Sequence, residues 1–171
     1  VALHAARACD ALFELERIVA TSRRAENRER FAAAVADVAR ARVESAPNIS
    51  RCLEDADAIV AAVPTPVPVL SKADLGDRTL VAMGGDSRTQ QLAPDVLREL
   101  IILPDHLDQT LNSGEFRQAE ADGRLESVRF ARNRRGAVLN IGDAACDRLG
   151  EVRPQVVYFT GLAALDLCVA V

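Results

Sequence analysis

Short apolar runs, bounded by Gly, Pro, Asp or Arg, alternate along this chain with stretches whose apolar residues return every three or four positions. The runs predict strands and the spaced stretches predict helices. Leu80-Val81-Ala82-Met83, with Asp77-Arg78 before it and Gly84-Gly85 after, predicts a strand buried on both faces of a parallel sheet. A second buried strand is predicted over residues 58–63, ended by Pro64, Pro66 and Pro68. Residues 17–21, 42–45, 100–103 and 156–159 predict shorter strands. Helices are predicted over 2–13, with Ala5, Cys9 and Leu12 on one face, and over 25–38, with Phe31, Val35 and Val38 on one face and Ser22 as cap. Further short helices are predicted after Asn48 or Ser50, over 94–100, 106–112 and 141–149, and over 162–171. Residues 115–135 are too polar to predict an element.

Strands and helices at such short intervals give α/β architecture: a doubly wound, mostly parallel sheet, Rossmann-like, covered by helices on both faces. At 171 residues one domain is expected, spanning 1–171. No internal repeat or low-complexity linker divides it.

Composition narrows the function classes. With 49% hydrophobic and 27% charged residues the chain is globular, and its apolar weight lies in Ala, Val and Leu. A net charge of −4 with few aromatic residues argues against nucleic acid as a partner. Cys9, Cys52, Cys146 and Cys168 show no CxxC and no nearby His pair, so neither zinc nor a disulfide framework is expected, and a reducing cytoplasm is. No apolar run approaches the ~20 residues of a membrane span. The chain opens on Val1 without a methionine and stops in mid-pattern, as a piece cut from a longer protein would.

Candidate chemistry gathers at the ends of the predicted strands. Asp86, directly after Gly84-Gly85, puts a carboxylate at the carboxyl end of a central strand, the edge where open α/β sheets bind ligands. Bare backbone at the two glycines would let a flat ligand approach. The same three residues also suit a plain tight turn. A dinucleotide site needs a glycine-rich turn between its first strand and first helix; here it would lie before Val1. At the end of the 17–21 strand stand Ser22, Arg23 and Arg24, with no acid until Glu26. An acidic residue there suits NAD, whereas arginines suit the extra phosphate of NADP. Ser22 as a helix cap followed by two solvated arginines is the other reading. His106, at a strand end, is either a helix-starting or a ligand-facing residue, and His4 is expected to pack.

Residues 55–70 resemble the segment "gADiVvtaTps..Pvl" of the ornithine cyclodeaminase/mu-crystallin family. Val81-Ala-Met-Gly-Gly-Asp86 resembles its "naiGaD", Ser113-Gly-Glu-Phe116 its "GEl", and Thr160 to Leu167 its "tGlAiqDl". The four segments stand in the family's order and span nearly the whole chain. The resemblance implies a Rossmann domain inserted in a second, substrate-binding and dimer-forming domain. It implies an NAD(P)-dependent oxidoreductase or cyclodeaminase moving hydride to or from the α-carbon of an amino or imino acid, with a homodimer formed through the missing domain. Asp86 falls on the aspartate held near the substrate amine, where it would accept a proton or stabilise an iminium. Val63, Pro64 and Thr65 fall beside adenine and ribose. Val81, Ala82 and Met83 fall on the nicotinamide side, and Thr160 and Gly161 near nicotinamide and substrate. The family's catalytic lysine and its carboxylate-binding arginine belong to the absent part, and Lys72, on a surface turn, is no candidate. Val63 and Phe159 depart from the common Thr and Ser. NADP is the expected cofactor, with NAD as the other possibility. No metal is expected. The alternative is a non-catalytic, crystallin-like NADP-binding protein.

Overall fold

The computed structural model describes residues 2–161, so the helix expected over 162–171, with Asp166 and Cys168, lies outside the described residues. The chain divides after Ala56 into two compact units.

In the first unit, α1 (Ala2–Leu12) leads into β1 (Arg17–Thr21), α2 (Ala25–Ala36), β2 (Arg42–Ala46) and α3 (Ile49–Leu53). β1 and β2 pair in parallel, Ile18 opposite Val43 and Thr21 opposite Ala46. Such pairing needs a crossover, and α2 supplies it, packed on the two strands with Val35 fully buried. The face expected for α1 is only partly right. Ala5 and Cys9 are half-buried, but Leu12 is exposed, and the buried residue of the helix is Asp10. Its carboxylate accepts the backbone N–H groups of Arg40 (2.8 Å) and Ala41 (3.0 Å), and Arg40 Nε lies 3.5 Å from it. Three donors make that burial tolerable. Val38 likewise falls beyond the end of α2 and is exposed. Asn48 caps α3, accepting the Arg51 N–H at 2.9 Å.

The second unit carries β3 (Ala58–Ala61), α4 (Lys72–Leu75), β4 (Thr79–Met83), α5 (Pro94–Glu99), β5 (Ile102–Pro104), α6 (Leu107–Leu111), α7 (Gly114–Ala121), a 3₁₀ turn at Leu125–Ser127, α8 (Ile141–Ala145) and β6 (Val156–Phe159). Its sheet runs β3-β4-β6-β5, every neighbouring pair parallel. The last strand in sequence therefore inserts between β4 and β5. Because all four strands run the same way, their carboxyl ends open on one edge.

Three expectations need correction here. β3 and β4 are not buried on both faces. Ile59 and Ala61 are buried while Ala58 and Val60 are exposed, and Leu80 and Ala82 are fully buried while Val81 and Met83 are half-buried. An unbroken apolar run hides such alternation because both faces carry aliphatic side chains. Residues 115–135 do contain a helix, α7, whose Phe116 and Ala119 are buried under an otherwise polar surface. Lys72 begins α4, which Ser71 caps in a box with Asp74. Phe116 stacks on Phe130, centroids 5.6 Å apart, and meets Tyr158 edge-on at 5.1 Å. Phe116 and Tyr158 are fully buried, as are Leu80 and Val156, which face each other across β4 and β6.

Candidate functional site

Four segments reach the open edge of the second unit: Val63–Thr65 after β3, Gly84–Asp86 after β4, Asp105 after β5, and Thr160–Gly161 after β6. Each is held by hydrogen bonds that the strands alone would not provide. Gln91, fully buried, donates from Nε2 to the Met83 carbonyl (2.8 Å) and accepts the Val63 N–H at Oε1 (3.0 Å), tying the ends of β3 and β4. Thr65 is buried with its hydroxyl on the Val67 carbonyl (2.9 Å), while Val63 and Pro64 are exposed at the rim. The Gly84 N–H donates to Phe159 O at 2.8 Å.

Asp105 is a buried carboxylate that organises the end of β6. It accepts the backbone N–H of Thr160 (2.7 Å) and of Gly161 (3.2 Å), and the Thr160 hydroxyl at 2.9 Å. The His106 N–H also reaches it at 2.7 Å. His106 itself is exposed and makes no side-chain cap for α6.

The two glycines prove to be required by the protein's own packing. A Cβ on Gly84 would run into the hydroxyl of Tyr158, and one on Gly85, at φ +105°, into the Thr160 carbonyl. The side of Gly84 on which a Cβ would project is thus filled by a buried tyrosine. Gly85 remains exposed along its other side.

Asp86 follows, its carboxylate 45% exposed. Oδ1 accepts the Arg88 backbone N–H at 2.8 Å, closing an Asx turn, and the Arg88 guanidinium approaches both oxygens at 3.4 and 3.5 Å. The N–H of Arg88, then its guanidinium, hold the Asp86 carboxyl below the usual carboxylate range. It is an anion at neutral pH. Arg88 is itself 87% exposed, and an ion pair so solvated is loosely held.

A second buried carboxylate, Glu115, went unassigned in the sequence. Oε2 accepts the Tyr158 hydroxyl and Oε1 the Gln91 backbone N–H, both at 2.6 Å. Burial first, then the Glu115 charge, push the Tyr158 hydroxyl far above its ordinary range, so it stays protonated and donates. The one sequence signal for Glu115 is its place in Ser113-Gly-Glu-Phe116. Gly114 there donates to the Asp86 carbonyl at 3.1 Å and has no room for a Cβ against Thr89 O.

In the first unit, β1 ends with the Thr21 hydroxyl on the Ala46 carbonyl at 2.9 Å. Ser22 does not cap α2: the N-cap is Arg24, in extended geometry and without a side-chain bond. The Ser22 carbonyl instead receives the Arg28 guanidinium at 2.9 Å. Arg23 and Arg24 are exposed, and neither guanidinium has a hydrogen-bond or ionic partner among the described residues.

Solved structures that share this fold include three relatives. A Thermococcus litoralis Δ1-pyrroline-2-carboxylate reductase in complex with NADH and L-proline matches with a TM-score of 0.80 at 14% identity, over 99% of this chain and 52% of its own. An archaeal alanine dehydrogenase dimer with bound NAD matches at 0.73 and 23% identity, over 99% and 52%. A probable ornithine cyclodeaminase from Bordetella pertussis Tohama I matches at 0.68 and 20%, over 98% and 53%. The chain thus spans about half the length of each, and the likeness establishes a Rossmann-like α/β fold. No curated protein sequence matches it. The model of the ornithine cyclodeaminase/mu-crystallin family matches residues 1–152, and with most of its length so covered the chain belongs to that family.

Proposed function

We propose that this chain is the dinucleotide-binding part of a longer NAD(P)-dependent enzyme that moves hydride to or from the α-carbon of an amino or imino acid. The observation that carries the reading is Asp86: an exposed carboxylate, held anionic, at the carboxyl end of the interior strand β4. A bound nicotinamide dinucleotide supplies or takes up the hydride. The protein's own task at this edge is to manage the nitrogen. An ammonium or iminium on the substrate needs a fixed negative charge beside it. A carboxyl with a lowered pKa is a poor proton acceptor, so Asp86 serves better as an electrostatic partner of the cation than as the general base. Arg88 holds it only loosely, and a substrate cation can take its place.

The residues present suit such a cofactor. Arg23 and Arg24, at the end of β1, offer two uncommitted guanidiniums, and Ser22 a hydroxyl, for the 2′-phosphate of NADP, with no acid there to favour NAD. Val63, Pro64 and Thr65 would stand along the adenosine side, and Val81, Met83, Gly84, Thr160 and Gly161 along the nicotinamide side. NADP is therefore the preferred cofactor, with NAD the weaker. The substrate domain and the homodimer contact would come from the length that the relatives have and this chain does not span. The free thiols of Cys9, Cys52 and Cys146 suit a cytoplasmic enzyme, and no described helix is long and apolar enough to cross a membrane.

One observation favours the competing reading, a binding protein without catalysis: the Asp86 carboxylate already has structural work in its Asx turn. Oxidation of NADPH, followed at its absorbance with a panel of cyclic imino acids and with 2-oxo acids plus ammonium, separates the two. Turnover of any of these supports the enzyme. Tight NADPH binding with no turnover across the panel supports the binding protein, and binding of neither nicotinamide cofactor overturns both.

A further inference from the structure

We infer that Glu115 is a positioning residue for Asp86, bracing the carboxyl ends of three neighbouring strands from one buried carboxylate. This rests on the catalytic reading of Asp86 given above. Glu115 is 4% exposed and has no cationic partner among the described residues; its oxygens are met by two neutral donors, Gln91 N and Tyr158 Oη, each at 2.6 Å. A carboxylate buried on neutral donors is a costly way to join two segments, and a neutral or apolar pair would cost less if stability were all. Its geometry points to what that cost secures. Through Gln91 it fixes the side chain that joins Val63 at the end of β3 to Met83 at the end of β4. Through Tyr158, on β6, it fixes the hydroxyl that occupies the Cβ place of Gly84 and faces the Gly85 amide. The residue before it, Gly114, holds the Asp86 carbonyl through its own N–H. Asp86 therefore stands on a turn whose supports converge on Glu115, although no atom of Glu115 is in hydrogen-bond contact with Asp86.

The test is a double-mutant cycle on kcat/KM in the full-length enzyme with Glu115→Gln, Asp86→Asn and the pair. Glutamine keeps the size but places an amide N–H₂ where one of two donors needs an acceptor. A displacement of Asp86 by a fraction of an ångström to an ångström should lower kcat/KM by roughly 10- to 100-fold. It should do so with NADPH affinity within about threefold and the thermal midpoint well above the assay temperature. In the Asp86→Asn background the same change should cost less than about threefold, because nothing remains to be positioned. If Glu115→Gln is silent, or lowers activity equally in both backgrounds, Glu115 is merely structural and the inference falls while the enzymatic reading stands. If Asp86→Asn alone is silent, the catalytic reading of Asp86 falls and takes this inference with it. Should Glu115→Gln not fold, Tyr158→Phe enters the cycle in its place. It removes the hydroxyl and keeps the ring on Phe116, and the same results support or overturn the claim.

Discussion

Gly84 and Tyr158 occupy one another's space: the phenol hydroxyl lies 2.0 Å from where a side chain on Gly84 would begin, and two ring carbons, Cζ and Cε1, stand 2.5 and 3.0 Å from the same point. Tyr158 cannot swing away, since it is fully buried, edge-on to Phe116 and bonded to Glu115. The glycine before the Asp86 turn is therefore set by the strand beside it.

That relationship predicts the effect of a single methyl group. Gly84→Ala must displace the β4 end, and overpacking of this kind costs about 1–3 kcal/mol. Denaturant unfolding should show a lower midpoint at an unchanged slope. Combining it with Tyr158→Phe removes the worst overlap and leaves the ring carbon, so the pair should recover part of the loss. An unaltered midpoint for Gly84→Ala would contradict this packing.

Cofactor preference is expected to follow the two free guanidiniums. Arg23→Ser and Arg24→Ser should each weaken NADP(H) and leave NAD(H) nearly unchanged. One charge-assisted phosphate contact contributes about 1.5–3 kcal/mol, or roughly 10- to 150-fold in affinity. Calorimetric titration of both cofactors into the full-length enzyme reads this directly. Wild-type protein that binds NAD(H) as tightly as NADP(H) would rule it out.

Much of this architecture was legible in the residues, and the polar part of the interior that was not has one cause. β1, β3, β4 and β6 announced themselves as short apolar runs between polar punctuation, and Asp86 as a carboxylate where such a run stops. The buried polar residues did not. Asp10, Gln91, Asp105 and Glu115 look like solvated surface in a linear pattern. Each is buried by partners far along the chain, 30 residues away for Asp10 and Arg40, 43 for Glu115 and Tyr158, and 55 for Asp105 and Thr160. Periodicity reports neighbours within a few residues and is blind to such pairs. Gly84 illustrates the same blindness: nothing near it in sequence shows that its missing side chain also makes room for Tyr158.

Asp10 gives a prediction in pH. The N–H groups of Arg40 and then Ala41 hold its carboxyl below the ordinary carboxylate range. A group with a depressed folded pKa adds stability above its unfolded value of about 3.9, and that stability is lost as pH falls through the lower folded value. Urea unfolding between pH 7 and pH 3 should show wild type weakening on acidification below about pH 4. Asp10→Asn should be less stable at pH 7 and flatter across the same window. Parallel curves for the two proteins would mean that Asp10 does not carry this dependence.

Asp86 carries the most consequential prediction. Asp86→Asn keeps the size of the side chain and an oxygen that can still accept the Arg88 N–H, so the turn should survive. What disappears is the negative charge proposed to stand beside the substrate nitrogen. Positioned charged and acid–base groups contribute on the order of 10²–10⁴-fold, and kcat/KM in the full-length enzyme should fall by about that factor. NADPH affinity should hardly move, because the phosphate and adenosine contacts proposed here lie on other segments. The pH profile supplies an independent check. Since Arg88 holds Asp86 below the usual carboxylate range, protonation of Asp86 can limit activity only below about pH 4, so an acidic limb higher than that belongs to another group. Steady-state turnover with whichever imino or amino acid proves active, run beside cofactor titration, decides the matter. Near wild-type turnover in Asp86→Asn would leave the aspartate as the cap of a tight turn and nothing more.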